Sequence, residues 1–89
     1  MKIKVYTPST FCPSCFLTKK QLKVWEEVQN ADKDEDFMAE CRSKGYSSFP
    51  IVEVTENGTV TDIWFGYSKE KIEEYNKKIL ELNSVCQAI

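Results

Sequence analysis

The apolar and polar positions of the chain follow strand-like periods in some segments and helix-like periods in others. Ile3, Val5 and Tyr6 give the segment 2–7 a strand pattern, which ends at the turn residues TPST. A helix is predicted from Pro13, because proline is well tolerated in a first helical turn. The expected buried side of this helix is Leu17, Leu22, Val24 and Trp25, and its expected solvated stripe is Lys19, Lys20 and Lys23.

The middle of the chain predicts a short strand followed by a capped helix. The second strand is expected at 27–31. The sequence DKDE then resembles a capping box, in which Asp32 accepts from the helix amides and Glu35 reaches back. Gly45 is the expected end of this helix, since glycine commonly follows a last helical turn. The residues expected to face inward are Phe37, Met38 and Cys41.

The last third of the chain predicts a hairpin and a final helix. Asn57-Gly58 lies between two β-rich runs and favours a type I′ turn, which needs positive φ at both central residues. Ser68 is the expected cap of the final helix. Apolar residues recur along it at steps of three and four, at Ile72, Tyr75, Ile79, Leu82 and Cys86. The predicted order β-α-β-α-β-β-α gives an α/β fold, with a four-stranded mixed sheet and three helices.

Size and charge narrow the classes of function. The 89 residues predict a single domain spanning 1–89, and 42% hydrophobic residues favour a folded chain. A formal net charge of −2 argues against nucleic-acid binding. No apolar run approaches the roughly 20 residues of a membrane span, and the N-terminus lacks the pattern of a secretory signal. We therefore expect a cytoplasmic monomer that binds neither nucleic acid nor membranes.

Cysteine carries the candidate chemistry. The chain has four cysteines and no histidine, which excludes histidine catalysis and mixed Cys/His zinc sites. In a reducing compartment a CxxC pair is typical of catalysis or metal binding. Cys12 falls at the start of the first predicted helix, where free amides stabilise a thiolate and lower a cysteine pKa from ~8.5 to ~3.5–7.5. Cys15, almost one turn further in, is placed to resolve a mixed disulfide by attacking the Cys12 sulfur.

Two other interpretations of the cysteines remain open at this point. Cys12 and Cys15, together with Cys41 and Cys86, would supply the four thiolates of a structural zinc site. Cys41 and Cys86 also fall on the apolar stripes of their helices, where free cysteine is an ordinary core residue. Alternatively, the domain binds a partner without turnover.

Four motifs in order along the chain resemble the glutaredoxin family of the thioredoxin superfamily. KVYT resembles the first strand, CPSC the active site, and GYSSFPIV the segment that holds a cis-proline. WFGYSKEKI is similar to the start of the last helix in NrdH-type redoxins, the glutaredoxin-like hydrogen donors of ribonucleotide reductase. The resemblance covers nearly the whole chain.

The resemblance implies roles for individual residues. Cys12 would be the attacking thiolate and Cys15 the resolving thiol of a redox-active disulfide, and Pro50 would be the cis-proline. The residues implied in substrate binding are Phe11, Pro13, Ser14, Ser48, Phe49, Pro50, Gly66, Tyr67 and Ser68. The implied activity is reduction of protein disulfides without a bound cofactor or metal, with ribonucleotide reductase as the leading partner.

Departures from the family pattern bear on the electron source. Many glutaredoxins carry a lysine shortly before the first cysteine, where it meets a glutathione carboxylate, but here PSTF carries no charge. Ser14 replaces the usual tyrosine, and only Gly66 and Ser68 retain part of the segment that holds the glutathione amino end. The expected reductant is therefore thioredoxin reductase with NADPH, or glutathione. Glutathione-dependent deglutathionylation is the alternative activity.

Aromatic residues are candidates for an apolar docking patch around the dithiol. These are Tyr6, Phe11, Phe49, Trp64 and Tyr67. For Tyr6 and Trp64, core packing is an equal alternative. Phe11, immediately before the first cysteine, is the residue most expected to be exposed.

Overall fold

The computed structural model describes residues 1–88, with side chains described as far as Glu81. In chain order its elements are β1 (Lys2–Tyr6), α1 (Pro13–Gln21), β2 (Glu26–Val28), a 3₁₀ turn (Ala31–Lys33), α2 (Glu35–Lys44), β3 (Ile51–Glu56), β4 (Thr59–Phe65) and α3 (Lys69–Ala88). The predicted order of strands and helices is confirmed. The second strand is shorter and earlier than the predicted 27–31.

The four strands form one mixed sheet in the order β2-β1-β3-β4. β1 and β2 are parallel and are joined through α1, whereas β3 is antiparallel to both β1 and β4. This arrangement, with helices on both faces, is the thioredoxin-like fold, so the predicted fold class is confirmed.

Alternation along β1 and β3 divides the core between the two faces of the sheet. One face packs against the end of α1 and against α3, and its buried residues are Ile3, Val5, Leu22, Val52, Val54, Trp64, Ile72, Tyr75 and Ile79. On the other face the Tyr6 ring stacks on Phe37 of α2, with centroids 4.5 Å apart. Each helix is therefore held by apolar burial, which is the main source of helix stability in proteins.

Three segments leave the sheet at the same end. β1 finishes at Tyr6, which pairs with Ile51 at the start of β3, and Ile51 pairs with Phe65 at the end of β4. The loop that leads from β1 to Cys12 therefore begins where Pro50 enters the sheet and Gly66 leaves it. A backbone hydrogen bond from Gly66 N to Pro50 O, 2.8 Å long, joins the last two of these segments.

The predicted buried side of α1 is wrong for three of its four residues. Leu22 is 4% exposed, but Leu17 is 40%, Val24 50% and Trp25 38% exposed. α1 ends at Gln21, so Val24 and Trp25 lie beyond the helix. The Asn76 side chain fixes this end by donating to Gln21 O at 2.8 Å and accepting from Lys23 N at 2.9 Å.

Along the helix itself, the inward face of α1 consists of Cys15 and Thr18, one turn apart. The Thr18 hydroxyl is satisfied in this position because it donates to Ser14 O at 2.8 Å. A polar residue therefore occupies the buried stripe, which explains why an apolar pattern gave the wrong phase.

The predicted capping box of α2 is also wrong in its residues. Asp34 is the N-cap: its φ of −86° and ψ of 103° are non-helical, and its carboxylate accepts from Phe37 N at 3.1 Å. Asp32 lies in the preceding 3₁₀ turn and bonds to Ser9 instead. Glu35 is the first residue of α2, one position after the cap, and so it cannot fill the third-position role of a capping box.

The remaining turn and cap predictions are confirmed. Gly45 ends α2 with a φ of 83°, and Asn57 and Gly58 have φ values of 55° and 80° in the β3–β4 turn. Ser68 Oγ accepts from Lys71 N at the start of α3. Ile72, Tyr75 and Ile79 are buried as expected. Leu82 and Cys86 lie outside the residues whose side chains are described.

Candidate functional site

Cys12 is the N-cap residue of α1. Its φ of −137° and ψ of 97° are extended, and Pro13 opens the helix behind it. Cys12 Sγ accepts a hydrogen bond from Cys15 N at 3.2 Å, and Cys12 O accepts from Phe16 N at 3.1 Å. The sulfur therefore occupies the position that a capping oxygen takes in other helices, where negative charge is stabilised.

Cys15 has different surroundings from Cys12, although the two are bonded to each other in a disulfide. Cys15 is 3% exposed and lies on the buried face of α1, whereas Cys12 is only half-buried. An external disulfide can reach only the sulfur that solvent reaches. This asymmetry fits the predicted roles of an attacking Cys12 and a resolving Cys15.

The charges of α1 also favour an anion at its start. The first turn contains no acidic residue, and Lys19 and Lys20 lie in the last turn. The macrodipole and the free amides of the first turn therefore act on the Cys12 sulfur without an opposing carboxylate in that turn.

The residues around Pro50, which are predicted to bind substrate, lie at one end of the sheet. The Phe49–Pro50 peptide bond is cis, as the resemblance implies. Pro50 is buried and Phe49 half-buried, while Ser48 is exposed. Since Pro50 enters the sheet where the loop to Cys12 leaves it, these residues belong to the end of the molecule that carries the dithiol.

The segment after β4 is hydrogen-bonded to the end of α1. Tyr67 OH donates to Gln21 Oε1 at 2.7 Å, and the Tyr67 ring is still partly exposed. Gly66 adopts a φ of 75°, which L side chains rarely tolerate, at the point where the chain turns toward α3. Ser68 serves as the α3 cap, a structural role beside its predicted substrate contact.

A cavity of about 310 Å³ adjoins the disulfide, and neither Pro50 nor Gly66 is among its lining residues. It is lined by residues 7–12, by Cys15, Phe16 and Lys19 of α1, and by Glu27, Gln29 and Asn30 of the β2 end. Of the predicted site residues, only Phe11, Cys12 and Cys15 line it. Pro13 and Ser14, the residues between the cysteines, are exposed and half-buried respectively.

A charge pair inside this cavity escaped the sequence analysis, which placed Lys19 on a solvated stripe. Lys19 Nζ lies 2.6 Å from Glu27 Oε2, which also accepts from Thr7 Oγ1 at 3.1 Å. Gln29 Nε2 donates to the other carboxylate oxygen at 3.1 Å. The hydrogen bonds from Lys19 and then Gln29 hold the pKa of Glu27 below its ordinary value.

The loop before Cys12 is clamped by Asp32. Its two carboxylate oxygens accept from Ser9 N at 2.7 Å and from Ser9 Oγ at 2.8 Å. Ala31, the residue before Asp32, donates its backbone N–H to Thr7 O at 2.9 Å. The loop that carries Phe11 to the helix start is therefore fixed to the 3₁₀ turn at two points.

The aromatic candidates divide into exposed and packed residues. Phe11 is 88% exposed, as expected, whereas Trp64 is buried and its ring stacks on Tyr75 at 5.4 Å. Tyr6 packs on Phe37 below the sheet. For Tyr6 and Trp64 the structure therefore favours core packing. It adds Phe16, 58% exposed, beside Cys12.

Cys41 occupies an environment unlike that of Cys12. It lies on the buried side of α2, and burial raises the pKa of its thiol, as expected for a core cysteine. Among the residues with described side chains, no three histidine, cysteine or carboxylate groups lie together as metal ligands would. Cys86, the fourth thiol of the zinc interpretation, lies outside those residues.

In the described part of the chain, no helix combines the length and the apolar character that crossing a bilayer requires.

Comparison with known proteins gives one structural neighbour to report. No protein-family model matches the chain, and no curated protein sequence matches it. Among solved structures, the chain is similar to the reduced thioredoxin pre-protein of Schistosoma mansoni, at 24% sequence identity and a TM-score of 0.49. That alignment covers 86% of this chain and 78% of the other.

Proposed function

We propose that the protein is a small dithiol oxidoreductase that reduces disulfides in other proteins, with ribonucleotide reductase as the leading substrate. One observation carries the proposal: the half-buried Cys12 caps α1 with its sulfur and is disulfide-bonded to the buried Cys15. The coarser class, thiol–disulfide exchange, follows from this pair on a thioredoxin-like fold. The choice of ribonucleotide reductase is supported by the resemblance of WFGYSKEKI to NrdH-type redoxins.

The reaction starts from the reduced dithiol. The Cys12 thiolate attacks one sulfur of the substrate disulfide, forms a mixed disulfide, and releases the other substrate sulfur as a thiolate that takes up a proton. Cys15 then loses its proton and attacks the Cys12 sulfur, which releases the second substrate thiol. Two electrons pass to the substrate, and the protein is left with the Cys12–Cys15 disulfide seen in the structure.

A reductant must then restore the dithiol. We propose thioredoxin reductase with NADPH, because the four residues before Cys12 include no charged side chain to hold a glutathione carboxylate. Glutathione as electron source is the alternative, together with deglutathionylation as the activity. Reduction of the oxidised protein by each system, followed side by side, distinguishes them: faster reduction by glutathione would contradict the proposal.

Insulin reduction tests the function itself. Cys12→Ser is expected to abolish turnover, because no other accessible sulfur lies at the helix start. The matched control is Cys41→Ala, which removes a cysteine far from solvent and should leave turnover near the wild-type rate. Full activity in Cys12→Ser would refute the proposal.

The two non-enzymatic interpretations each make a prediction that differs from that of the proposed function. A structural zinc module would contain stoichiometric metal when freshly purified and would unfold with a chelator. An interaction module would keep its biological effect in a protein with both Cys12→Ser and Cys15→Ser. The proposed function requires that both substitutions together abolish that effect and leave the fold intact.

A further inference from the structure

We propose that the cavity beside the disulfide binds the residue next to the target cysteine of a polypeptide substrate and selects an uncharged side chain there. We call it the α1–β2 cavity and define it by Phe11, Phe16, Lys19, Glu27 and Gln29. The inference rests on the proposed function and adds the substrate class to it.

Its position makes the cavity the natural neighbour of a bound substrate. Cys12 and Cys15 both contribute to its wall. Two cysteines joined by a disulfide have Cα atoms about 4.4–6.8 Å apart, and the next Cα along a chain is about 3.8 Å further. A polypeptide held through the Cys12 sulfur therefore brings a flanking side chain within reach of the cavity.

Two aromatic rings at the cavity favour an apolar contact. Phe11 is 88% and Phe16 58% exposed, although large apolar side chains are usually buried. Phe16 N donates to Cys12 O, which places Phe16 one helical turn from the reactive sulfur. Exposed aromatic surface next to a reactive group is typical of a binding site, since rings supply much contact area.

The charges of the cavity cancel internally. Among the residues with described side chains, only Lys19 and Glu27 bring a charge to its lining, and their side chains lie 2.6 Å apart. The Glu27 carboxylate also accepts hydrogen bonds from Thr7 and Gln29. A charged substrate side chain entering here would lose its hydration without gaining a free partner of opposite charge. For an apolar or amide side chain, the same loss of hydration costs far less free energy.

The test uses symmetrical disulfides of short peptides, each with one cysteine followed by Phe, Asn, Asp or Lys. The prereduced protein is mixed with each peptide in about 0.5 M salt, where long-range charge effects are screened. We expect the Phe and Asn peptides to be reduced about tenfold faster than the Asp and Lys peptides. Equal rates for all four would overturn the inference.

Variants of the charge pair sharpen this test. Glu27→Gln leaves Lys19 unpaired and should move the preference toward the Asp peptide, whereas Lys19→Gln should move it toward the Lys peptide. Circular dichroism checks that each variant is folded, and either variant alone is sufficient. Peptide preferences identical to wild type in a folded charge variant would overturn the inference.

Phe16→Ala tests the aromatic contact. It should slow reduction of the Phe peptide about three- to tenfold more than reduction of the Asp peptide. The control is Val60→Ala, because Val60 is 50% exposed near the hairpin, at the opposite end of the sheet. Equal effects of the two substitutions would contradict the proposed contact.

A small disulfide separates this inference from the proposed function. Bis(2-hydroxyethyl) disulfide has no flanking residue, so wild type should reduce it, and the Val60→Ala control should do so at the same rate. If wild type reduces it but does not discriminate among the peptides, only the inference fails. If wild type reduces neither it nor any peptide, the proposed function fails.

Discussion

Cys12 and Cys15 share one disulfide but differ in what surrounds each sulfur. Cys12 is reached by solvent and accepts the Cys15 amide, while Cys15 is 3% exposed. In the reduced protein we therefore expect the backbone of the first helical turn to stabilise a thiolate at Cys12. We expect the different roles proposed for the two cysteines to follow from this helix start.

The resolving role proposed for Cys15 gives a direct prediction. Cys15→Ser should still attack a substrate disulfide through Cys12 but should stop at the mixed disulfide, because no second thiol can displace the substrate. Mass spectrometry under non-reducing conditions should find one substrate chain attached per protein, bonded to Cys12. Steady turnover without an accumulated adduct would contradict this assignment of roles.

Asp62 is the residue whose contribution to the stability of the fold is most clearly expected to depend on pH. Burial opposes its ionisation, but hydrogen bonds from Lys71 Nζ and Tyr75 OH, both 2.7 Å long, hold its pKa below the ordinary value of 3.8. The pKa of Tyr75 is raised, first by burial of its hydroxyl and second by its hydrogen bond to the Asp62 carboxylate.

A folded-state pKa that is lowered means that the unfolded chain binds more protons near pH 4. The stabilisation from Asp62 should therefore be complete above about pH 4 and be lost as the pH falls through the folded pKa. Urea unfolding of Asp62→Asn should show a stability deficit at pH 7 that shrinks toward pH 3. Glu56→Gln, at the exposed end of β3, is the control and should show little deficit at pH 7. A deficit for Asp62→Asn that is constant with pH would contradict the assignment.

At the scale of elements, α1 shows how a polar residue fixes the phase of a helix. Its inward face is Cys15 and Thr18, and Leu22 follows directly after the helix. This phase turns Phe16 and Leu17 outward and places Lys19 over β2, where it meets Glu27. Burial of Cys15 and exposure of Phe16 are therefore consequences of the same helical rotation.

Leucine substitutions test this phase. Leu22→Ala should lower the free energy of unfolding by about 2–5 kcal/mol, because it leaves a cavity in the core. Leu17→Ala, at a position 40% exposed, should change it by no more than about 0.5 kcal/mol. Denaturant titration of both variants measures the difference. Equal losses would show that the predicted apolar stripe, with Leu17 inward, was right after all.

Local signals were sufficient for most of the elements but not for this phase. Gly45, Asn57 and Gly58 could be placed from sequence because each turn needs a positive φ at that position. The α1 face could not, since its buried Thr18 is polar and becomes acceptable only by bonding to Ser14 O. The N-cap of α2 was shifted from Asp32 to Asp34 because Ser9 is the hydrogen-bond partner of Asp32.

At the scale of the whole molecule, the candidate site combines local and long-range features. The cysteine pair was visible in the sequence because both residues lie on one helical turn. The Lys19–Glu27 pair was not, since it depends on the pairing of Val5 with Glu27 across the β1–β2 ladder. The α1–β2 cavity is likewise a product of the parallel crossover that places α1 beside β2.

The topology also places the site at one end of the sheet. The loops after β1, before β3 and after β4 all leave from this end, and the first two carry Cys12 and Pro50. In the strand order β2-β1-β3-β4, the α1–β2 cavity adjoins β2 on one flank of β1, whereas Pro50 and Gly66 adjoin β3 and β4 on the other flank. A substrate chain held through Cys12 would therefore meet different surfaces on its two sides.

The central claim is that the start of α1 lowers the pKa of Cys12, and the pH dependence of alkylation tests it most directly. The reduced protein is treated with iodoacetamide across a range of pH, and peptide mapping follows the label on each cysteine. We predict that Cys12 is labelled first, with an inflection in the rate at a pH well below the pKa of ~8.5 of a free cysteine. An inflection for Cys12 at or above that value would contradict the account.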